Sequence, residues 1–454
     1  MPETSEAVGR RGLMRSPIWA QRSFLKLWAG QSVSLVGSAV TTLALPLTAI
    51  YTLHASAAQL GLMRTMQWLP YILFSLHLGA WTDRRKRKPM MIGANLGQAI
   101  MLTGIVTLAL THVLTLPMLT VAVFVIGGLT VAFDLSYNAY LPSLVDKELL
   151  IQANSRLQTS ASVAVIGGPG LGGLLVQLLT APVALLVDAA SFVVSVLSLL
   201  WIKQPESAPA KAEDSPGVTA QIKTGLAVVL GDPLLRALVG TSAFFNLFAQ
   251  WISVLIVLFA VRVLHLPAGV IGLMVGTPAV GALIGSVLAS RVSERLGIGP
   301  TVMSCVVFEC VVLIAIPFAP ASHPLIAAVV IAVALAASGV GSALSSIVGI
   351  SVRQAVTPPN LYGRMTATYR FVSFGVIALG SLFGGLAGQA LGLRAGLLYG
   401  AIGLQSTIIW MALSKLPRIR ALPSSPPVGS GPPDSGPPDS EPAESQPAVE
   451  AALE

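Results

Sequence analysis

Twelve long apolar segments, separated by short polar stretches, constrain the fold of this chain more than any other feature. A helix needs about 20 apolar residues to cross the hydrocarbon core of a bilayer. Only 10% of the 454 residues are charged, whereas a soluble protein carries roughly 25%, so lipid must cover much of the exterior. We therefore predict an all-α membrane protein with twelve transmembrane helices. The predicted spans are 25–50, 59–81, 90–110, 117–139, 156–178, 182–202, 234–260, 268–290, 301–320, 325–349, 365–388 and 393–414.

The longest polar interruption divides these spans six and six, and the two halves repeat each other. Gly61-Leu62-Met63 recurs as Gly272-Leu273-Met274, and Gly172-Gly173 recurs as Gly384-Gly385 at nearly the same distance. A parallel repeat predicts two six-helix, pseudo-symmetric bundles related by an axis along the membrane normal. The predicted parts are an N-terminal segment (1–23), a first bundle (24–202), a central loop (203–232), a second bundle (233–415) and a Pro-rich tail expected to be disordered (416–454).

The basic residues set the expected orientation. Five consecutive cations, Arg84 to Lys88, follow the second span, and Lys and Arg accumulate on the cytoplasmic side of membrane proteins. With the N-terminus inside, nearly all of the 27 Lys and Arg residues fall in or beside cytoplasmic segments. We therefore expect an integral protein of the plasma membrane (the cell inner membrane) with both termini in the cytoplasm. The exceptions are Arg64, Arg262, Arg370 and Arg394.

The loop after span two combines these cations with a glycine and an acid. A carboxylate there can meet the positive N-terminus of a helix, and the start of span eleven, near 357–360, is the expected partner. Asp134, near the inner end of span four, is expected to complete a network with the loop arginines. The second half carries a weaker copy of the acid and arginine. The residues of this gate are Gly79, Asp83, Arg84, Arg87, Asp134, Glu294 and Arg295.

The pattern Gly79-x-x-x-Asp83-Arg84-x-x-Arg87-Lys88 resembles the loop signature of the major facilitator superfamily, and the resemblance extends over nearly all of residues 24–415. It implies the twelve-helix fold of that superfamily and alternating access between two halves. It also implies that the loop network latches the halves in the outward-open state. The simpler interpretation is that the cations only fix topology. We expect both roles, because Gly79 and Asp83 contribute nothing to topology.

Span five carries a second motif, Gly168-Pro169-Gly170-Leu171-Gly172-Gly173. Proline removes a helical hydrogen bond and glycine removes side-chain bulk, so this span can bend and pack closely. The pattern resembles the antiporter motif of drug–proton exchangers in the superfamily, although Ala164 stands where a further glycine is expected. The resemblance favours export over uptake. The structural alternative is close helix packing alone.

A third pattern points to one branch of the superfamily. Tyr140-Leu141-Pro142-Ser143-Leu144-Val145, followed by Asp188-Ala189-Ala190-Ser191-Phe192, looks like the branch that contains macrolide-efflux and enterobactin-type exporters. The patterns are loose, so they suggest a branch and leave the substrate open.

Ionisable and polar side chains within the spans are candidates for function, because each is costly in lipid. Asp134, Asp188 and Glu309 are candidates for proton coupling. Spans six and nine are peripheral in the superfamily, however, so Asp188 and Glu309 are equally well explained as hydrogen-bonded structural groups. A mostly apolar cavity with few polar contacts suits a large amphipathic organic molecule better than a sugar. The candidates to line that cavity are Gln31, Arg64, Tyr137, Asn138, Asn246, Gln250, Trp251 and Arg370.

The sequence contains no Gly-x-x-x-x-Gly-Lys-Ser/Thr loop and no evident catalytic or metal-ligating set. We therefore expect neither an enzyme nor an ATP-driven pump, and no cofactor, with the proton gradient as the energy source. We predict a monomeric secondary transporter that exports a small amphipathic, drug-like compound in exchange for protons. Its expected partners are that substrate, protons and lipid, without nucleic acid. The alternatives are export of a siderophore or biosynthetic product, solute uptake and a non-transporting receptor.

Overall fold

The computed structural model describes residues 17–82, 85–204, 206 and 218–420, and these residues form helices and short connections without a β-strand. Asp83 and Arg84 of the loop motif lie outside the described residues, as does the tail beyond residue 420. The helices are α1 (Arg22–Tyr51), α2 (Ala57–Thr82), α3 (Arg87–Leu110), α4 (Leu116–Leu144), α5 (Leu150–Leu178), α6 (Ala181–Leu200), α7 (Val218–Gly231), α8 (Pro233–Arg262), α9 (Ala268–Leu296), α10 (Ile298–Leu313), α11 (Pro324–Val356), α12 (Pro359–Leu391), α13 (Leu393–Leu404) and α14 (Ser406–Ala412).

Eleven helical segments in the described part of the chain are long and apolar enough to cross a membrane. The remaining predicted span, 59–81, is α2, which has 26 residues and is therefore about 39 Å long. Polar side chains such as Gln59, Arg64 and Gln67 lower its hydropathy. The helix packs against both α4 and α12, and Arg64 and Gln67 are half-buried. The predicted all-α membrane fold is confirmed.

The two halves pack in the same way. In the first half, α1 packs on α5 and α6, and α4 packs on α2 and α3. In the second half, α8 packs on α12, α13 and α14, and α11 packs on α9 and α10. Each helix of the first bundle therefore has a counterpart in the second, with α13 and α14 together replacing one span. This arrangement confirms the two pseudo-symmetric bundles predicted from the repeat.

The central segment differs from the polar loop predicted over 203–232, because its second half forms α7. This helix packs on α12 and α8. At Gly225 a methyl group would come within 2.7 Å of the carbonyl oxygen of Arg364 on α12, so the close approach requires glycine. Val229 is buried against the same helices. The apolar residues Ile222, Leu226 and Val229, spaced four and three apart, carry the helical signal.

The connections between the helices define two ends of the molecule. The basic end carries the connection between α2 and α3, with Arg85 to Lys88. The opposite end carries the connection between α1 and α2, residues 52–56.

Candidate functional site

The halves meet closely near the opposite end, at two helix crossings related by the pseudo-symmetry. In the first, α5 crosses α9, and a methyl group on Gly173 would lie 2.9 Å from Cα of Gly272. In the second, α12 crosses α2, and a methyl group on Gly385 would lie 2.7 Å from Cα of Gly61. All four glycines belong to the sequence repeat, and each contact joins a glycine of one motif to a glycine of the other. The repeated glycines therefore form the contact surfaces between the bundles.

Hydrogen bonds reinforce this closure. Thr65 Oγ1 on α2 lies 3.0 Å from the carbonyl oxygen of Ala378 on α12, and its single hydroxyl hydrogen is shared between that oxygen and the carbonyl oxygen of Gly61, at 2.8 Å. Arg262 Nη2, at the end of α8, donates to the carbonyl oxygens of His54 at 3.0 Å and Ala55 at 2.8 Å. The molecule is therefore fastened at its opposite end.

The span-five motif contributes to both sides of this closure. Gly172 packs on α1, where a methyl group would come within 3.2 Å of Cα of Val40, and a methyl group on Gly168 would come closer still to the side chain of Ala39. Gly173, the next residue along, packs on α9 of the other half, and the carbonyl of Pro169 faces Gly272. The motif thus joins α5 to its own bundle and to the partner bundle. This placement fits the interpretation that the motif only allows close helix packing, and it also fits a role in moving the halves apart.

An aromatic cluster lies where the two halves meet, farther toward the basic end. The rings of Trp68 and Phe374 stack with centroids 5.6 Å apart, and the rings of Tyr71 and Phe374 lie 4.8 Å apart. Trp68 and Tyr71 belong to α2, whereas Phe374 belongs to α12. The cluster therefore spans the interface between the bundles and gives the site an apolar, aromatic wall.

Asp134 is bonded to this cluster. Its Oδ2 accepts a hydrogen bond from the hydroxyl of Tyr71 at 3.0 Å. The positive charge of Arg370 on α12 also acts on this carboxylate, from farther away than the 4.0 Å of an ion pair. Tyr71 and Asp134 belong to the first half and Arg370 belongs to the second. Asp134 is thus hydrogen-bonded within its own half and lies within the electrostatic influence of the other.

Of the other predicted cavity residues in the first half, Tyr137 and Asn138 lie beside Asp134 on α4, whereas Arg64 and Gln31 lie on α2 and α1. Arg64 donates to Gln67 Oε1 at 2.9 Å and to the carbonyl oxygen of Thr42 at 3.1 Å, so it bridges α2 and α1. Asn138 donates to the carbonyl oxygen of Asp134 at 2.7 Å and is exposed. Tyr137 stacks on Phe133 at 5.9 Å. In α1, the amide oxygen of Gln31 is buried and has no hydrogen-bond partner among the described residues.

Three predicted cavity residues lie on α8 of the second half, and their placements differ. Asn246 donates to Ser242 Oγ at 3.3 Å and lines a cavity inside the second bundle. Gln250 is half-buried. Trp251 makes contacts within the second half, because its indole N–H donates to the carbonyl oxygen of Gly396 at 2.9 Å and Gly384 lies against its backbone. It is half-buried, and its place in the substrate cavity stays a prediction.

The two deeper carboxylates lie within single bundles. Asp188 on α6 is 1% exposed, and its Oδ1 accepts from Ser191 Oγ at 3.0 Å and Ser38 Oγ at 3.3 Å. Glu309 on α10 is 2% exposed, and its Oε1 accepts from Ser345 Oγ at 3.2 Å. The hydrogen-bonded environment favours a structural role for Asp188. Glu309 also lines a cavity inside the second bundle.

Arg87 of the loop motif has a partner that the sequence did not indicate. Its Nη1 lies 3.8 Å from Oε1 of Glu206. The Glu206 carboxylate also accepts the backbone N–H groups of Arg87 at 2.6 Å and Lys88 at 3.2 Å. The predicted contact between Asp134 and Arg87 is thus replaced, because the carboxylate that reaches the start of α3 comes from the central segment. Negative charge at a helix N-terminus is favourable.

The rest of the loop network is only partly described. Gly79 lies near the end of α2, whereas Asp83 and Arg84 lie outside the described residues. The predicted helix start near 357–360 is confirmed, since α12 begins at Pro359. In the second half, Glu294 and Arg295 are exposed at the end of α9. Nothing in the described geometry brings this second copy into the interface between the halves.

Comparison with known proteins agrees with this architecture. A family model described as a transmembrane secretion effector matches residues 15–432. Macrolide efflux protein A of Streptococcus pyogenes is 28% identical over 222 residues, 48% of this chain and 54% of that protein. The match therefore spans about half the length of that relative. Multidrug efflux pump Tap of Mycolicibacterium fortuitum is 25% identical over 395 residues, 85% of this chain and 93% of that protein.

The fold is also that of a solved transporter. The crystal structure of a bacterial homologue of the iron transporter ferroportin, in an inward-facing state, superimposes with a TM-score of 0.71 at 19% identity. The superposition covers 86% of this chain and 98% of that one, which shows a shared fold. Taken with the two six-helix bundles and the family match over nearly the whole length, the chain belongs to the transmembrane secretion effector family of the major facilitator superfamily.

Proposed function

We propose that this protein exports a small amphipathic organic compound across the plasma membrane in exchange for protons. The observation that carries the proposal is Asp134, a carboxylate inside the membrane that is bonded to Tyr71 and interacts with Arg370 of the other half. Its relatives in the family include proteins named for macrolide and multidrug efflux. An aromatic wall beside a single charged group suits an amphipathic ligand.

We infer that the basic end faces the cytoplasm, with both termini on that side, because Lys and Arg accumulate on cytoplasmic loops. The protein would then be fastened on the external side and accessible from the cytoplasm. A substrate would enter between the bundles from the basic end. Since one chain contains both halves, we propose that a monomer suffices and that no cofactor is needed.

The proposed coupling follows from the position of Asp134. Arg370 attracts this carboxylate across the interface only when the carboxylate is ionised. Gain or loss of a proton therefore changes the attraction between the halves, which is what alternating access requires. External protons would load the group when the molecule opens outward, and the cytoplasm would receive them in the state described here.

The test uses purified protein in proteoliposomes, with radiolabelled erythromycin as the first probe. We expect an imposed pH gradient to drive accumulation in wild type. In Asp134→Asn, gradient-driven accumulation should be lost, while exchange of labelled for unlabelled erythromycin at equal pH persists. Accumulation that is the same with and without a pH gradient in wild type would refute proton antiport. Comparing drug susceptibility and exported metabolites in cells with and without the protein separates drug efflux from export of a siderophore or biosynthetic product.

The loop latch remains part of the proposal. We propose that Asp83 and Arg84 stabilise the outward-open state together with the start of α12. Asp83→Asn should then impair transport and leave membrane insertion intact. Unchanged transport in that variant would remove the latch from the mechanism.

A further inference from the structure

The second half contains a polar cavity that is separate from the aromatic cluster at Asp134. It has a volume of about 290 Å³ and lies among four helices, α8, α10, α11 and α12. Its wall runs along α11 from Ser342 to Arg353, which is about 16 Å of helix. Arg353 lies one turn from the end of α11 at the basic end. The cavity therefore extends from the basic end toward the middle of the membrane.

The side chains along this cavity are mostly polar. The hydroxyl of Tyr369 donates to Ser242 Oγ at 2.6 Å, and Asn246 also donates to Ser242 Oγ at 3.3 Å. The guanidinium of Arg353 lies 3.8 Å from the centre of the Tyr369 ring. Thr241 Oγ1 is buried without a hydrogen-bond partner among the described residues. Such a lining can hold ordered water, because each water needs two to four polar partners.

Glu309 is the carboxylate of this cavity. It is 2% exposed, and no Lys, Arg or His nitrogen of the described residues lies within 4.0 Å of its oxygens. Its hydrogen-bond donor is Ser345, whose single hydroxyl hydrogen also has the carbonyl oxygen of Ser342 as an acceptor, at 3.1 Å. A buried carboxylate with a shared donor and no cation within 4.0 Å is costly to keep charged. An additional positive occupant of the cavity would relieve that cost.

The first half provides an internal comparison. The spacing that aligns Gly61 with Gly272 also aligns Gln98 with Glu309 and Thr130 with Gly341. Gln98 on α3 donates to Thr130 Oγ1 on α4 at 2.7 Å, and Glu309 on α10 lies against Gly341 on α11, where a methyl group would be 2.9 Å from Oε1. The packing is therefore equivalent, but one half has a neutral amide where the other has a carboxyl. Packing alone does not require the acid.

We propose that Glu309 is a second proton-binding site of this transporter, reached from the basic end through the cavity among α8, α10, α11 and α12. It deepens the proposed proton antiport and rests on it. The site takes a proton on the carboxyl oxygen, with Ser345 as its hydrogen-bond partner, and exchanges it along the polar wall. Asp134 and Glu309 then bind one proton each, in different parts of the molecule.

Other titratable groups near Glu309 are few. Cys305 and Cys310 lie on its own helix and are buried, while Arg353 on α11 and Tyr369 on α12 share its cavity. The charged groups of α9 and of residues 415–420 lie at the basic end, about 15 Å or more along the helix from Glu309. Neither α14 nor the parts of α13 that face α10 add a carboxylate. Glu309 is therefore the acid that can respond to pH at this site.

The first test is infrared difference spectroscopy of purified protein in lipid while the pH is raised through the physiological range. We expect wild type to lose carboxyl C=O intensity, and Glu309→Gln to lack one component of that loss. The equivalent position of the first half is Gln98, so we expect the glutamine side chain of Glu309→Gln to fit at position 309. Erythromycin exchange at equal pH verifies that the variant is folded. Asp188→Asn is the matched control, a buried carboxyl enclosed by serine hydroxyls, and should titrate like wild type.

Two further measurements test whether the lost C=O component belongs to Glu309 and whether its occupant is a proton. Ser345→Ala should shift the frequency of the Glu309 component, because it removes the hydrogen bond and leaves the carboxyl in place. Sodium added at constant pH should change nothing; loss of the same component on adding sodium would show a metal cation as the occupant and overturn the proposal. A wild-type titration that Glu309→Gln reproduces in full would also overturn it.

Proton counting separates this inference from the proposed function. We expect the number of protons exchanged per erythromycin to fall by one in Glu309→Gln. If wild type shows no proton coupling at all, antiport itself fails. If wild type is coupled and Glu309→Gln exchanges as many protons, antiport stands and the second site fails.

Discussion

Asp134 is influenced by residues from both halves of the transporter. Tyr71 holds one of its oxygens from within the first half, and the charge of Arg370 reaches it from the second. The two interactions differ in kind. The hydrogen bond fixes where the carboxylate points, whereas the attraction to Arg370 depends on its charge. Removing each separately therefore distinguishes positioning from coupling.

Tyr71→Phe removes the hydroxyl and keeps the ring that packs on Trp68 and Phe374. A hydrogen bond to a charged group contributes about 1.5 to 3 kcal/mol, so we expect gradient-driven erythromycin accumulation to fall roughly tenfold or more. Exchange at equal pH should change far less. The matched control is Tyr137→Phe, a nearby tyrosine on the helix of Asp134 that stacks on Phe133. Equal losses in both variants would mean that Tyr71 is not specific for coupling.

At two crossings between the halves, the contacting residues are glycines, which carry no side chain. At the α5–α9 crossing both contributing residues, Gly173 and Gly272, would place a methyl group within about 3 Å of the other backbone. The α2–α12 crossing repeats this arrangement with Gly61 and Gly385. Small residues let membrane helices approach closely. The same surfaces must separate when the opposite end opens, so their fit sets the balance between the two states.

Gly173→Ala should shift this balance toward opening at the opposite end. Inserting a methyl group into a closely packed contact costs about 1 to 3 kcal/mol, which corresponds to roughly a tenfold or larger change in population. Spin-label distances across the opposite end should report the shift. Gly167→Ala is the control, because a methyl group at this position of the same helix meets nothing within 4 Å. An unchanged distance distribution in Gly173→Ala would contradict the role assigned to the crossing.

The sequence predicted most of the helices, and the features that it missed have physical causes. Length and hydropathy located the spans, and the repeat predicted two bundles, but it did not identify its glycines as the contacts between them. The helix α7 was missed because charged and proline residues before it dominate the central segment, although Ile222, Leu226 and Val229 follow a helical spacing. Hydropathy also says nothing about which neighbour a span faces. The hydrogen bond from Trp251 to the carbonyl oxygen of Gly396, for example, cannot be inferred from the position of Trp251 in its span.

Glu206 could not be found from a pattern at all. Its main partners are backbone N–H groups at the start of α3, and a backbone donor leaves no trace in residue identity. Only the conjunction of an acid in the central segment with an exposed helix N-terminus gives a signal, and many acids satisfy it. Partners of this kind are fixed by the tertiary fold.

The whole molecule is symmetric in packing and asymmetric in charge. Both crossings at the opposite end use repeated glycines, so either half presents the same surface to the other. The carboxylates do not repeat: Asp134 lies on α4 of the first half, and Glu309 lies on α10 of the second. Symmetric packing allows the halves to rock about one axis. Asymmetric charge gives that movement a dependence on protons.

Rigid-body rocking predicts that a covalent bond between the halves stops transport, whereas one within a half does not. Thr65→Cys with Ala378→Cys, in a background with Cys305 and Cys310 replaced by alanine, introduces one thiol on α2 and one on α12, at two residues whose Oγ1 and backbone oxygen lie 3.0 Å apart. We expect oxidation to abolish erythromycin exchange and reduction to restore it.

In the same background, Asn95→Cys with Ser195→Cys joins α3 to α6 within the first half, at the site of a 2.8 Å hydrogen bond. That pair should cross-link and still transport, because the first half moves as one body. Arrest by both cross-links would instead mean that the bundles deform internally during the cycle, and exchange that continues through the Thr65–Ala378 bond would show that the opposite end does not need to open.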